Sequence, residues 1–384
     1  MTSFSTLGLS QPLLRALETE GYTTPTPIQA QAIPPALLGH DILGIAQTGT
    51  GKTAAFALPI LQRLAANRKP TIRGGCRALI LSPTRELASQ IAESFRAYGR
   101  HLGLRSTLMF GGVPKSRQAR AMQGGVDILV ATPGRLMDHM QDRTVRLDHV
   151  EILVLDEADH MLDLGFIVPI RRIVSTMPTE RQTMFFSATM PKEIGALANG
   201  MLKNPTPVEV APVATTVERV EQQVIFVEAS RKRHVLADLL GSVCSGRTLV
   251  FTRTKHGADR VVRHLEEGGV PAVAIHGNKS QPQRERALAA FRGGESRVLI
   301  ATDIAARGID VDGVSHVINF DLPNVPESYV HRIGRTARAG RDGVAISLCD
   351  PTERPFLKSI EKLIRARVPV VAAPSESMPT RRAA

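Results

Sequence analysis

The 384-residue sequence has no tryptophan and only three tyrosines, and aromatic residues make up 4% of it. A chain that gripped its ligand chiefly by stacking flat rings would need exposed aromatics, so stacking is excluded as the main mode of recognition. Cysteine is scarce as well: Cys76, Cys244 and Cys349 stand far apart. They form no CxxC pair and cannot all be joined. That excludes a thiolate zinc module and a disulfide scaffold, and points to a reducing, cytoplasmic home. No apolar run approaches the roughly 18 residues of a membrane-spanning helix. The opening stretch, MTSFSTLGLSQPLLRALETEGY, lacks the basic-then-apolar order of a secretory signal.

What is plentiful is apolar core material, 43% of the residues, and positive charge: Lys+Arg 48 against Asp+Glu 36, a net +12. The excess is shared, +5 over residues 1–210 and +7 over 211–384, and so does not sit in one tail. A polyanion such as nucleic acid is the expected partner; a solvated basic surface is the plainer alternative. A charge divided this way fits a groove built by two domains better than a basic arm.

Short apolar runs alternate with helical patterns along the whole chain. In the first half, 41–46, 77–82, 106–110, 127–131, 151–156 and 183–188 read as strands, with helices at 84–100 and 191–200. Prolines 205, 207 and 212 then interrupt the rhythm and read as a linker. The second half repeats the pattern, with strands at 222–228, 247–252, 271–276, 297–302, 315–320 and 343–349 and helices at 231–241, 254–266 and 280–292. This order predicts two α/β domains, each a mostly parallel sheet flanked by helices, followed by a loose tail from Arg367.

The sharpest local signal is AQTGTGKT: Ala46, Gln47, Thr48, Gly49, Thr50, Gly51, Lys52 and Thr53. It lies between an apolar strand and a helical run, where a phosphate-binding loop belongs. Its glycines let backbone N–H groups curl around phosphate oxygens at a helix N-terminus. Lys52 would meet the outer phosphates and Thr53 would ligate Mg²⁺. Ala46 stands where the general pattern has Gly. A partner acid is expected at the end of another strand, and Asp156 and Glu157 follow ILVL there. Asp156 would hold Mg²⁺, partly through water, and Glu157 would orient and deprotonate the attacking water.

Asp156 to Asp159 spell DEAD, and with the motifs below the chain resembles a DEAD-box ATP-dependent RNA helicase over nearly its whole length, with details similar to the bacterial RhlE-type subgroup. The resemblance implies two tandem RecA-like domains with an interdomain cleft. It divides the chain into a Q-motif region (1–30), a first domain (31–207), a linker (208–218), a second domain (219–366) and a flexible tail (367–384). GYTTPTPIQ is similar to the family's Q motif, which implies adenine recognition by Gln29, whose amide offers a donor and an acceptor together, and stacking by Tyr22. Phe4 stands where the family has an isolated upstream aromatic. Ser187 and Thr189, in SAT, match the motif that couples hydrolysis to strand separation.

HRIGRTAR resembles motif VI and implies that Arg335 and Arg338 serve the γ-phosphate. Spaced i, i+3, they would project from one helix face. Ala337 replaces the usual Gly, which would strain the chain if φ is positive there. Gly308 and Asp310 are expected near the phosphates and the ribose. A backbone-gripping RNA track is implied for Pro83, Thr84, Arg85, Gly111, Gly112, Thr132, Pro133, Gly134 and Arg135 in the first half, and for Arg253, Gly277, Gln281, Arg284 and Thr302 in the second. Such groups bind phosphate and give register without reading bases. The expected activity is RNA-stimulated hydrolysis of ATP, with Mg²⁺, coupled to local unwinding of short duplexes or remodelling of RNA–protein complexes. The alternative is an ATP-dependent RNA clamp without significant unwinding. Ribosome precursors or RNA-decay proteins are the partners the resemblance suggests, and no membrane is implied.

Overall fold

In the computed structural model the structure describes residues 3–47, 49–210, 220–306, 311, 313–337 and 342–374. The chain divides into two compact units, Met1–Pro212 and Val213–Ala384. The division falls inside the proline-rich stretch read as a linker.

Unit 1 is built on seven strands: β1 (Ile42–Ile45), β2 (Cys76–Leu81), β3 (Ser106–Met109), β4 (Val126–Ala131), β5 (Ile152–Leu155), β6 (Gln182–Ser187) and β7 (Thr206–Glu209). Their order across the sheet is β3-β4-β2-β5-β6-β1-β7, and every pairing is parallel. Helices cover both faces, so the central strands read as unbroken apolar runs rather than as alternating ones. In β2, Ala78 and Ile80 enter one core, shared with the helix Lys52–Ala66, while Leu79 and Leu81 enter the other. In β5, Ile152 and Val154 divide from Leu153 and Leu155 in the same way.

Strand β7 was not expected. Its last two residues, Val208 and Glu209, fall in the segment assigned to a linker from 208, and its first two in the proline-interrupted stretch before it, yet Thr206–Glu209 pairs with β1 and Val208 is buried in the core. Pro207 misled the reading. A proline is tolerated at a sheet edge, where its missing N–H deprives no neighbour of a bond.

Unit 2 has six strands: β8 (Val220–Phe226), β9 (Arg247–Phe251), β10 (Ala272–Ile275), β11 (Val298–Ala301), β12 (Val314–Asn319) and β13 (Gly343–Cys349). They are ordered β10-β11-β9-β12-β13-β8, again all parallel. The tail is not loose at its start. Val224 N donates to Pro369 O at 2.9 Å and Val371 N donates to Val224 O at 2.9 Å, so the chain after Arg367 lies against the edge of β8. Val368 and Ala373 are buried there. This edge pairing satisfies backbone groups that would otherwise be exposed. Positions 375–384 of the expected tail and 211–218 of the expected linker lie outside the described residues. All three cysteines are buried and unpaired. No described helix is long and apolar enough to cross a membrane.

Candidate nucleotide and nucleic-acid site

Because both sheets are wholly parallel, all strand C-termini of a unit lie along one edge, where ligands of such sheets bind. In unit 1 the expected motifs follow one another along it. The Gly111-Gly112 turn follows β3, Thr132-Pro133 follows β4, Pro83-Thr84 follows β2, Asp156-Glu157 follows β5, Ser187 ends β6, and the phosphate loop follows β1. The residues expected to hold RNA thus occupy three neighbouring strand ends, those expected to hold nucleotide flank the other end, and the SAT strand lies between the acid and the loop.

The phosphate loop is set by its backbone. Gly49 and Gly51 have φ of 85° and 94°, values that favour glycine, and Gly51 caps the helix Lys52–Ala66. A Cβ on Gly51 would lie 2.4 Å from Gln29 Nε2. Ala46 needs no such freedom: its N–H donates to Ser187 O at 3.0 Å, continuing the β1–β6 ladder, so Ala serves where the general pattern has Gly. Thr50 Oγ1 donates to Gln47 O at 2.8 Å, closing the loop on itself. Thr53 begins the helix beside Lys52. Thr48 lies outside the described residues.

Lys52 is 5% exposed, and its Nζ has no hydrogen-bond partner among the described residues; it faces Asp156 Oδ1 at 3.9 Å. A buried ammonium without hydrogen bonds is costly, and a phosphate oxygen would satisfy it. Burial pushes the Asp156 carboxyl up to about 6, against the pull of Lys52. A cation there would favour its charged form, so the donor set of Thr53 hydroxyl and Asp156 carboxylate suits a hard ion such as Mg²⁺.

Glu157 has φ 54° and ψ 55°, a left-handed conformation rare outside glycine. Strain of this kind gathers at functional sites, where the surroundings enforce it. Here Glu157 N donates to Asp156 Oδ1 at 3.1 Å, and the Glu157 carboxylate meets His160 Nδ1 at 3.2 Å. The sequence reading gave no role to His160 or to Asp159. Asp159 Oδ2 accepts from both Thr189 N and Thr189 Oγ1 at 2.9 Å, and Asp159 N donates to Ser187 Oγ at 3.2 Å. The acidic motif and SAT are therefore bonded to each other directly. An acid in a first helical turn signals nothing by itself, and its partners lie about 30 residues away.

Gln29 is 1% exposed. Its Oε1 accepts from Thr26 N at 2.9 Å, a capping box for the helix Pro27–Leu37, and its Nε2 donates to Gly51 O at 3.2 Å. The amide thus connects the Q motif to the phosphate loop. Tyr22 packs edge-on against Phe4 and Tyr98, and its hydroxyl lies 2.9 Å from that of Tyr98.

Thr84 caps the helix Arg85–Tyr98 by accepting from Leu87 N. The Arg85 guanidinium runs under Gly111 and Gly112: a Cβ on Gly112, where φ is 84°, would lie 2.1 Å from Arg85 Nη1. Glycine at 112 is thus favoured by its positive φ, and the pair leaves room for the arginine two strands away. Thr132 is the N-cap and Pro133 the first residue of the helix Pro133–Gln141; Gly134 has open space above it, and Arg135 Nη1 donates to Val113 O at 3.0 Å.

In unit 2, Arg253, Gly277 and Thr302 follow β9, β10 and β11, three neighbouring strands. Gln281 and Arg284 are nearly buried in the helix Gln281–Gly293. The Arg253 guanidinium is already engaged, by Glu353 at 2.5 Å and Leu322 O at 3.1 Å. Arg335 is not on a helix, contrary to expectation. The helix Pro326–Ile333 ends before it, and Arg335 sits in the following turn, buried, with Nε donating to His331 O. The turn includes Ala337 at φ 55°, which breaks the helical spacing assumed for the two arginines. Gly308, Asp310 and Arg338 lie outside the described residues. Arg332, also missed, is 1% exposed and binds Asp303 through Nε and Nη2 at 2.5 and 2.7 Å, which fastens the motif VI helix to the end of β11.

Fold and site together define an α/β unit with a phosphate loop and acid on one sheet edge, followed by a second parallel α/β unit without a loop of that kind. The DEAD/DEAH box helicase family matches residues 26–197, and the helicase conserved C-terminal domain matches residues 231–340. The chain is 44% identical over 375 residues to the DEAD-box ATP-dependent RNA helicase CshA of Bacillus cereus, covering 98% of this chain and 70% of that one. It is 43% identical to the ATP-dependent RNA helicase CshA of Limosilactobacillus reuteri, over 95% and 72%. Among solved structures, S. cerevisiae Dbp5 bound to RNA and ADP BeF3 matches with a TM-score of 0.84 and 33% identity, covering 97% of this chain and 96% of that one. The chain belongs to the DEAD-box family of ATP-dependent RNA helicases. Both of these relatives carry the name CshA.

Proposed function

We propose that the protein hydrolyses ATP when bound to RNA and uses the cycle to separate short duplexes locally. The observation that carries this reading is the buried, hydrogen-bond-free ammonium of Lys52 beside Asp156, at the mouth of a glycine-shaped loop. ATP binds unit 1 through Gln29, with Tyr22 beside the base and the loop from Ala46 to Thr53 around the phosphates. Thr53 and Asp156 hold Mg²⁺, which offsets phosphate charge. Glu157, oriented by His160, takes the proton of the attacking water. Gly308 and Asp310 serve the phosphates and ribose from unit 2, and Arg335 and Arg338 meet the γ-phosphate when the units close on RNA and ATP. Such an arginine is worth roughly 10³–10⁵ in rate.

RNA is gripped along its backbone by the strand-end residues of both units, with little base preference. Ser187 and Thr189 report the nucleotide state to that track through Asp159. Three buried free thiols fit a reducing cytoplasm. Ribosome precursors or RNA-decay assemblies are the settings in which we place it.

The test is ATP turnover with and without single-stranded RNA, beside displacement of a short duplex. Lys52→Ala is expected to abolish RNA-stimulated turnover, and undiminished turnover would overturn the reading. Arg335→Ala is expected to keep ATP binding and lose hydrolysis. Stimulation by DNA equal to that by RNA would remove RNA as the substrate. RNA-stimulated turnover without strand displacement would leave the clamp.

A further inference from the structure

We propose that Gln118 is a positioning residue of the RNA track, one that locks the Arg135 guanidinium to the Gly111-Gly112 turn. The inference rests on the reading of Arg135 as an RNA contact. Gln118 lies in the helix Lys115–Met122 and belongs to none of the motifs read from the sequence. Its side chain is 8% exposed and bonded through both amide atoms. Nε2 donates to Phe110 O at 3.0 Å, and Phe110 immediately precedes the double glycine. Oε1 accepts from Arg135 Nη1 at 3.1 Å and faces His139 Nε2 at 3.2 Å. Only this orientation of the amide sets a donor on the carbonyl and an acceptor on the guanidinium.

The same network fixes the neighbouring imidazole. Since Nε2 of His139 faces an acceptor, it carries the proton. Burial, Lys115 and Arg135 hold the His139 pKa below its ordinary value, and Nδ1 lies 2.8 Å from the Thr144 hydroxyl, which donates to His139 O at 3.0 Å. The result is a partly buried chain of hydrogen bonds from His139 through Gln118 to Arg135. Arg135 is left asymmetric. Nη1 is held by Val113 O and Gln118, while the buried Nε faces Asp138 at 3.4 Å without a hydrogen bond. Nη2 has no partner among the described residues. A guanidinium clamped on one side with a donor spare on the other is set to meet a phosphate oxygen without first losing side-chain freedom. Because Phe110 closes the same network, the turn after β3 and the helix start after β4 are held at one spacing, which suits successive phosphates of one strand.

The experiment compares Gln118→Leu, Arg135→Ala and the double variant in RNA-stimulated ATP turnover, varying a single-stranded RNA. Losing a hydrogen bond to a charged group predicts a KM for RNA about tenfold higher in Gln118→Leu, with kcat at saturating RNA and KM for ATP within about twofold. If Gln118 acts through Arg135, the double variant is no worse than Arg135→Ala; effects that multiply overturn the inference. Gln118→Glu keeps both acceptor contacts but sets a carboxylate oxygen against Phe110 O, so it is expected to recover only part of the loss. Should Gln118→Leu not fold, Gln118→Met replaces it in the cycle. A raised KM in Arg135→Ala but not in the Gln118 variants overturns the inference alone. An unchanged KM in Arg135→Ala overturns the RNA reading of Arg135 and the inference with it.

Discussion

Ala337 is held at φ 55°, where a side chain meets steric resistance that glycine escapes. The space is tight as well, since a Cβ on nearby Gly343 would lie 2.7 Å from Ala337 N. A left-handed conformation costs a non-glycine residue roughly 1–2 kcal/mol, while glycine loses about 0.4–1 kcal/mol through greater freedom in the unfolded chain. Ala337→Gly is therefore expected to stabilise unit 2 by about 0.5–1 kcal/mol, read as a higher urea midpoint. A lower midpoint would show that the turn does not carry this strain in solution. Asp159 offers a second test at this scale. It accepts both donors of Thr189 on one oxygen, so Asp159→Ala leaves buried groups unsatisfied, at about 1–3 kcal/mol. Duplex separation is expected to fall more than RNA-stimulated ATP turnover; equal losses would argue against a coupling role.

At the scale of elements, two segments that composition describes as connectors are part of the sheets. Val208 is 2% exposed on edge strand β7, and Val208→Ala is expected to cost about 2 kcal/mol in the unfolding of unit 1, whereas a residue in a true linker would cost nothing. Removing residues 368–384 strips the edge of β8 and two buried side chains, Val368 and Ala373. The expected loss is roughly 3 kcal/mol, with self-association detectable by light scattering as the bare edge pairs with another. A monomer of unchanged stability would refute the structural role of the tail. These segments show where the sequence was readable. Twelve of the thirteen described strands were found because each carries a short apolar run, unbroken where the strand lies inside its sheet. Strand β7 and the tail are edge elements, stabilised by one neighbour each, with prolines and few apolar residues. The site divides likewise. Asp156, Lys52 and the glycines were legible because their chemistry is local to a strand end. Asp159, Gln118 and Arg332 were not, since their roles depend on partners that only the parallel topology brings together.

For the whole molecule, the net +12 becomes a question about how many charges meet phosphate. Arg253 is offset in place by Glu353, itself shared with the buried Lys232 at 2.5 Å, so its charge is already compensated within unit 2. On the proposed function, Arg85, Arg135 and Arg284 are the other cationic contacts of the track. Each phosphate neutralised on a single strand contributes about −0.7 to the slope of log affinity against log salt, so three predict a slope of about −2 and a fall of roughly 20-fold between 50 and 200 mM salt. Arg135→Ala should make the slope shallower by about 0.7, while Arg253→Ala should leave it nearly unchanged even if affinity drops through the lost packing on Phe356. The measurement is the Kd for a single-stranded RNA, with a non-hydrolysable ATP analogue, across a salt series. A slope near zero would mean that the basic excess is surface charge and that hydrogen bonds from backbone N–H groups and hydroxyls supply the grip. A slope much steeper than −3 would mean that lysines and arginines outside the strand ends share the strand. The intermediate value is expected because the strand-end residues are mostly neutral donors, Thr84, Thr132, Thr302 and the glycines, spaced by a few fixed guanidiniums.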